Sequence, residues 1–234
     1  EFSMLANGDR IAVAVSGGKD SLSLLRLLDW RRRSCREDYE LVAIHVTADA
    51  RGPETPLHPP LERWLREQGY DYSLVPITPS ADERLPMDCQ RCTWHRRQAL
   101  FEEAERLGCG VLAYGHHADD LAQTTLMNLV YHGRVETMAL VRTYFDDHFL
   151  LIRPLCYVDE KDLRRFAAAC DFPPPPPLCP RSAESRRELG RSLLAMAQGA
   201  HRLARVNLVR AGLRGMGLDA ATPASPGSTS GLSD

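Results

Sequence analysis

Residues 11–21 read IAVAVSGGKDS, and the fold follows from this stretch. A short, β-branched apolar run, Ile11 to Val15, breaks into two glycines. Apolar residues on a helical period then follow over 22–30. Strand, tight loop and helix succeed one another within about twenty residues. Glycines in such a loop let backbone N–H groups approach an anion, and the helix N-terminus adds partial positive charge. Ser16 and Ser21 offer hydroxyls, and Lys19 a mobile cation. Asp20 can reach a divalent metal directly or through water. The strings expected of a dinucleotide fold (GxGxxG) or a Walker loop (GxxxxGK[ST]) are absent. A shorter cradle with an acid beside its lysine fits a pyrophosphate carrying Mg2+.

The alternation continues downstream. Segments 41–46, 72–77, 111–114 and 149–152 read as strands, and 61–68, 93–107, 121–131 and 160–170 as helices. This predicts an α/β fold: a doubly wound, parallel five-stranded sheet, Rossmann-like, with helices on both faces. Five consecutive prolines at 173–177 must be extended, and a last helical region is expected over 183–211. Residues after Leu218 have the composition of a disordered tail. The division is then an α/β domain over 4–172, a proline-rich connector and basic C-terminal helix over 173–215, and a tail over 216–234. Glu1-Phe-Ser3, ahead of Met4, reads as a cloning remnant.

Composition narrows the class. The chain has 234 residues, 44% hydrophobic and 26% charged, as in an ordinary globular protein. No apolar stretch approaches the roughly 18 residues needed to span a bilayer, and no signal peptide is read, so a cytoplasmic protein with no membrane partner is expected. Seven cysteines, an odd number, then favour free or metal-bound thiols over a disulfide framework. Residues 1–150 hold 17 Lys+Arg against 23 Asp+Glu, whereas 151–214 hold 12 against 6. A basic C-terminal third suits a polyanionic partner as well as it suits a solvated helix face. Lys19 and Lys161 are the only lysines.

Gly115-His-His-Ala-Asp-Asp120 follows the fourth strand and opens a helix, so it points to the same sheet edge as the first loop. Carboxylates at a helix N-terminus are favoured by the dipole. Asp119 and Asp120 there suit Mg2+ or the orientation of a nucleotide. Cys89-Gln-Arg-Cys92 reads as a loop ahead of a helix and presents two thiolates to one centre. Alone, that pair fits a redox couple, half a zinc site or cluster ligands. Cys179, after the prolines, supplies a third sulfur. Three cysteines are one short of a full [4Fe-4S] complement, leaving one iron able to hold an extra sulfur or a substrate atom. Cys35, Cys109, Cys156 and Cys170 read as small apolar fillers.

These stretches together resemble the PP-loop ATP pyrophosphatases, and within them the tRNA 2-thiocytidine synthetases (the TtcA family). The matching segments are SGGKDS, CQRCTWHRR, GHHADDLAQTTLMNLVYHG, IRPLCYVDEKDLRRFA and FPPPPPLC, in that order, across about residues 9 to 195. The resemblance implies adenylation of a cytidine C2 carbonyl in a tRNA anticodon loop, then replacement of that oxygen by sulfur. It implies ATP and Mg2+ held by Ser16, Gly17, Gly18, Lys19, Asp20, Ser21, Gly115, Asp119 and Asp120. It also implies a [4Fe-4S] cluster on Cys89, Cys92 and Cys179, with His45 near the adenine. A sulfur donor such as a cysteine desulfurase, and a homodimer, come with it. Arg96, Arg97, Arg164, Arg165 and the arginines of 181–191 are candidate phosphate contacts; Trp94 and Tyr131 are candidates to stack on a base, with core packing the favoured reading for each. The chain departs from the family at Pro180-Arg181-Ser182, where a C-G-S-Q-like string is expected. Competing readings are a lysidine-synthetase-like ligase that transfers an amine, a sulfurtransferase acting on a metabolite or carrier protein, and an ATP-binding regulator.

Overall fold

The computed structural model describes residues 4–35, 38–47, 51, 58–80, 82–146, 148–177 and 186–218. Six strands form one sheet: β1 (Arg10–Ala14), β2 (Glu40–Val46), β3 (Asp71–Val75), β4 (Val111–Ala113), β5 (Val141–Tyr144) and β6 (Phe149–Ile152). Their spatial order is β3-β2-β1-β4-β6-β5. All pairings are parallel except β5 with β6. The chain runs outward from β1 through β2 to β3, then returns past β1 to β4. The order therefore reverses between β1 and β4, and the crevice at their carboxyl ends is where ligands bind in open α/β sheets.

Seven helices accompany the strands: α1 (Lys19–Ser34), α2 (Pro59–Glu67), α3 (Cys89–Arg106), α4 (Ala118–His132), α5 (Glu160–Ala169), α6 (Arg186–Ala200) and α7 (Ala204–Gly215). Successive strand residues point to opposite faces. Ile11 and Val13 accordingly join Leu25, Leu61, Leu65 and Leu163 of α1, α2 and α5 on one face. Ala12 and Leu112 join Leu100, Phe101 and Ala104 of α3 on the other. Burial on both faces is why the central strands are apolar without alternation.

The five expected strands are all present, and β5 is an addition. It escapes pattern reading because its middle residues, Arg142 and Thr143, are exposed on a sheet edge. The turn that follows uses Phe145 and Asp146 at φ of 54° and 52°, without the glycine or asparagine that marks most hairpins. The helix expected over 183–211 is two helices. The His201 ring takes the Leu203 N–H at 3.1 Å, where a continuing helix would use a backbone carbonyl. Among the fillers, Cys109 and Cys156 are buried, Cys170 is half-buried and Cys35 is exposed. Cys179 and the tail beyond Leu218 lie outside the described residues. No helix among the described residues is long and apolar enough to cross a membrane.

The two C-terminal helices pack into the body of the fold. Leu194 of α6, with Val209 and Leu213 of α7, is buried against Leu121 and Ala122 of α4 and against Leu140 and Cys156. Leu213→Ala is therefore expected to cost about 2–5 kcal/mol, read as a fall in the denaturation midpoint. Leu203→Ala, at a site 44% exposed, should stay within about 0.5 kcal/mol. Equal effects at the two sites would show α7 to be dispensable to the core.

Candidate functional site

The loop between β1 and α1 is held by its own serines. The Ser21 hydroxyl receives the Ser16 N–H at 3.1 Å and donates to the Gly18 carbonyl at 2.9 Å. The Ser16 and Ser21 hydroxyls lie 3.2 Å apart. Gly17 sits at φ +82°, a left-handed conformation that a side chain disfavours. Lys19 Nζ bridges Asp20 Oδ2 and Glu160 Oε1, both at 3.0 Å. Burial acts to lower the Lys19 pKa, but the hydrogen bonds and charges of Asp20 and Glu160 prevail and hold it above the ordinary value. Asp20 Oδ1 is buried without a hydrogen-bond donor. A hard cation needs such an oxygen, so this carboxylate fits Mg2+.

The second loop touches the first. A Cβ on Gly115 would lie 3.0 Å from the Asp20 carbonyl carbon and oxygen and from the Ser21 nitrogen, so the β4–α4 loop packs directly on the first turn of α1. His117, 4% exposed, fills the junction. Its Nε2 is 3.4 Å from Asp120 Oδ2 and 3.8 Å from Asp20 Oδ1, and its Nδ1 is 3.7 Å from Asp119 Oδ2. The predicted acids serve different ends. Asp120 Oδ2 accepts the His117 N–H at 3.0 Å and so caps α4. Asp119 Oδ2 accepts the Glu160 N–H at 2.9 Å, while Oδ1 faces Arg205 Nη1 at 3.6 Å. Arg205 also pairs with Asp159. Asp119 thus ties α4 to α5 and α7.

The cysteine pair is not in a loop. Asp88 caps α3 by accepting the Arg91 N–H at 2.7 Å, so Cys89 and Cys92 occupy its first turn. A helix beginning there starts from the carboxyl edge of the sheet, like the two loops above. Positions 89, 92 and 96 share one helix ridge. Arg96 is near enough for its charge to bear on His45. Burial lowers the His45 pKa first of all, and Arg96 and His58 lower it further. His45 Nδ1 donates to the Val15 carbonyl at 2.7 Å, immediately before the glycine loop. The i, i+3 spacing of the two sulfurs suits a shared metal centre. On the adjoining side Glu83, held down to about 2 by Arg91 and then His95, anchors the connection into α3.

The proline run crosses the same region. Trp64 Nε1 donates to the Asp171 carbonyl at 2.7 Å, and His58 Nε2 to the Pro174 carbonyl at 2.7 Å. Pro176 then lies against Gly17, its Cδ 2.9 Å from where a Cβ would stand.

The family model for the PP-loop domain matches residues 2–172. A tRNA-cytidine(32) 2-sulfurtransferase of Anaeromyxobacter dehalogenans (strain 2CP-C) is 38% identical over 217 residues, 90% of this chain and 74% of that protein. One from Syntrophotalea carbinolica is 37% identical over 206 residues, 85% of this chain and 78% of that protein. This chain belongs to the PP-loop family, among the tRNA-cytidine(32) 2-sulfurtransferases. A solved U34-tRNA thiolase, NcsA from Methanococcus maripaludis with its [4Fe-4S] cluster, shares the fold. It is 23% identical, with a TM-score of 0.70 over 92% of this chain and 74% of that one.

Within this PP-loop protein, the structure gathers Ser16 to Ser21, Gly115, Asp119 and Asp120 at one crevice and puts His45 beside it. Cys89 and Cys92 share its edge. Three residues of the junction were not singled out from sequence: His117, Glu160 and Arg205. The first two stand inside motifs quoted above, as the second histidine of GHHADD and the acid of DEKD. Arg205 carries no local signal, being far from Asp119 in the chain. Trp94 and Tyr131 are 47% and 42% exposed, not core residues, because each falls on the outer side of its helix.

Gly17→Ala places a methyl in a left-handed backbone and against Pro176, so ATP affinity by calorimetry is expected to fall about tenfold or more. Wild-type affinity would mean that neither the left-handed loop nor its contact with Pro176 matters to the nucleotide.

Proposed function

We propose that this chain is an ATP-dependent tRNA sulfurtransferase that makes 2-thiocytidine at position 32. The observation that carries the reading is the shared edge. A phosphate loop and a cysteine pair both follow the carboxyl ends of parallel strands of one sheet, in a chain 38% identical to a tRNA-cytidine(32) 2-sulfurtransferase.

In this reading the N–H groups of 16–18 and the N-terminus of α1 hold the ATP phosphates. Lys19 turns from Asp20 and Glu160 to the α-phosphate, and Asp20 holds Mg2+. The cytidine O2 attacks the α-phosphorus and pyrophosphate leaves, giving an O-adenylated base. A carbonyl oxygen is a poor leaving group until it carries AMP. Hydrosulfide then adds at C2, the C2–O bond breaks, AMP departs with the oxygen and a proton is lost. Cys89, Cys92 and Cys179 would hold a [4Fe-4S] cluster, which supplies an iron site for the incoming sulfur. His117, Asp119 and Asp120 keep the two loops in register. A cysteine desulfurase as the source of sulfur, a homodimer as the assembly and the cytoplasm as the compartment complete the reading.

The test is a separation of two properties after strictly anaerobic purification. About four irons and four sulfides per chain are expected, with the visible absorption of a cluster. Cys89→Ala should lose that absorption and keep ATP binding. Lys19→Ala should keep the absorption and lose AMP formation by a hundredfold or more. Zinc or no metal after anaerobic reconstitution, or loss of one and the same property in both variants, would move the assignment to an amine-transferring ligase.

A further inference from the structure

Four arginines of the basic C-terminal third are engaged by carboxylates. Arg164 pairs with Glu160 at 3.0 Å, Arg165 with Asp162 at 3.7 Å, Arg191 with Glu188, and Arg205 with Asp119 and Asp159. Exposed ion pairs of this kind contribute little to stability, but they reduce the field available to an outside anion.

Arg96, Arg97, Arg142 and Arg153 behave differently. Among the described residues none of the four pairs with a carboxylate. Arg153, Tyr114 and His116 stand at the carboxyl edge, and Arg142 and Tyr144 lie on the neighbouring edge strand, Tyr144 beside Phe149 at the start of β6. Arg153, directly after β6, lies over the Tyr114 ring at 6.0 Å and donates through Nε to His116 Nδ1 at 3.2 Å. It also donates to the Ala139 carbonyl. Arg142, on the edge strand β5, lies over Tyr144 at 5.1 Å. Arg96 and Arg97, in the second turn of α3, bear on Tyr114 from the side of the cysteines. The charges of Arg97 and Arg142 also reach Arg153, whose pKa is lowered first by burial. Tyr114, buried, is raised to about 12.

Arg142 pairs across the strands with Leu151, two residues before Arg153, and no acid among the described residues offsets their like charges. The arrangement is unfavourable alone and becomes favourable with an anion in its midst. Its place limits what that anion is. The ridge of Cys89, Cys92 and Arg96 leads into it from one side, and His116, next to the α4 junction, bounds it on another.

We propose that Arg96, Arg97, Arg142 and Arg153 bind a backbone phosphodiester of the RNA substrate beside the target nucleotide. They hold its base between the phosphate loop and the cysteine pair. This rests on the tRNA reading above and names the residues that deliver the substrate. The paired arginines of α5 and α6 contribute no such contact.

The test uses a tRNA transcript with cytidine in its anticodon loop, with RNA and ATP affinities measured on the same preparations. Arg97→Ala with Arg142→Ala, both at exposed positions, should weaken RNA binding about tenfold or more. The salt dependence should flatten by about one contact per arginine removed, and ATP affinity should hold within about twofold. Arg165→Ala with Arg191→Ala should change RNA affinity by less than about twofold. Unchanged RNA binding in the first pair, or a loss as large in the second, overturns the proposal. A parallel loss of ATP affinity in the first pair would assign the cluster to the nucleotide and overturn it too. A wild-type protein that forms AMP but binds no RNA would overturn the tRNA reading itself, and the proposal with it.

Discussion

The structure depends on one close approach. The backbone of Gly115 lies against the first turn of α1, at a distance that leaves no room for a Cβ beside Asp20 and Ser21. Two loops from strands adjacent in the sheet but distant in sequence are thereby pressed together at the switch point. Lys19, Asp20, His117, Asp119, Asp120 and Glu160 meet there because of it. Each makes part of a polar network around a crevice that the sheet topology alone would leave open. The same junction carries α5 and α7, through the Glu160 N–H and Arg205, so the nucleotide edge and the C-terminal helices share one anchor.

Much of this was legible in the residues because the information is local. SGGKDS must sit between a strand and a helix to be useful, and the apolar runs on either side say that it does. β1, the glycine loop and the β4–α4 motif follow from patterns of period two and 3.6 with glycines between them. The resemblance to a family then added the roles. What was hidden is long-range or decided by single side chains. The start of α3 is set by the Asp88 cap, which moves the cysteine pair from a loop into a helical turn. β5 is an edge strand with polar middle residues and a turn without glycine. Arg205 reaches Asp119 across the fold with no sequence signal. Trp94 looked like a core aromatic because only the helix phase reveals which side it faces.

Charge was the least legible property. Counting residues pointed to the C-terminal third as the basic surface, yet Arg164, Arg165 and Arg191 there are each engaged by a neighbouring acid. Arg96, Arg97, Arg142 and Arg153 belong to α3, β5 and the end of β6, and come together only through the fold. The cationic cluster one turn beyond the cysteines favours phosphates along the same edge. That edge is where a nucleotide-activating loop and a sulfur-handling pair need a polyanionic substrate to lie.

The central claim is that one crevice activates a carbonyl with ATP and then exchanges its oxygen for sulfur. The most direct measurement is nucleoside mass spectrometry of a tRNA transcript after anaerobic reaction with iron-loaded protein, ATP, Mg2+ and sulfide. The account predicts 2-thiocytidine at position 32, in amounts that match the AMP formed. AMP without a thiolated nucleoside, or an amine adduct in its place, would contradict it.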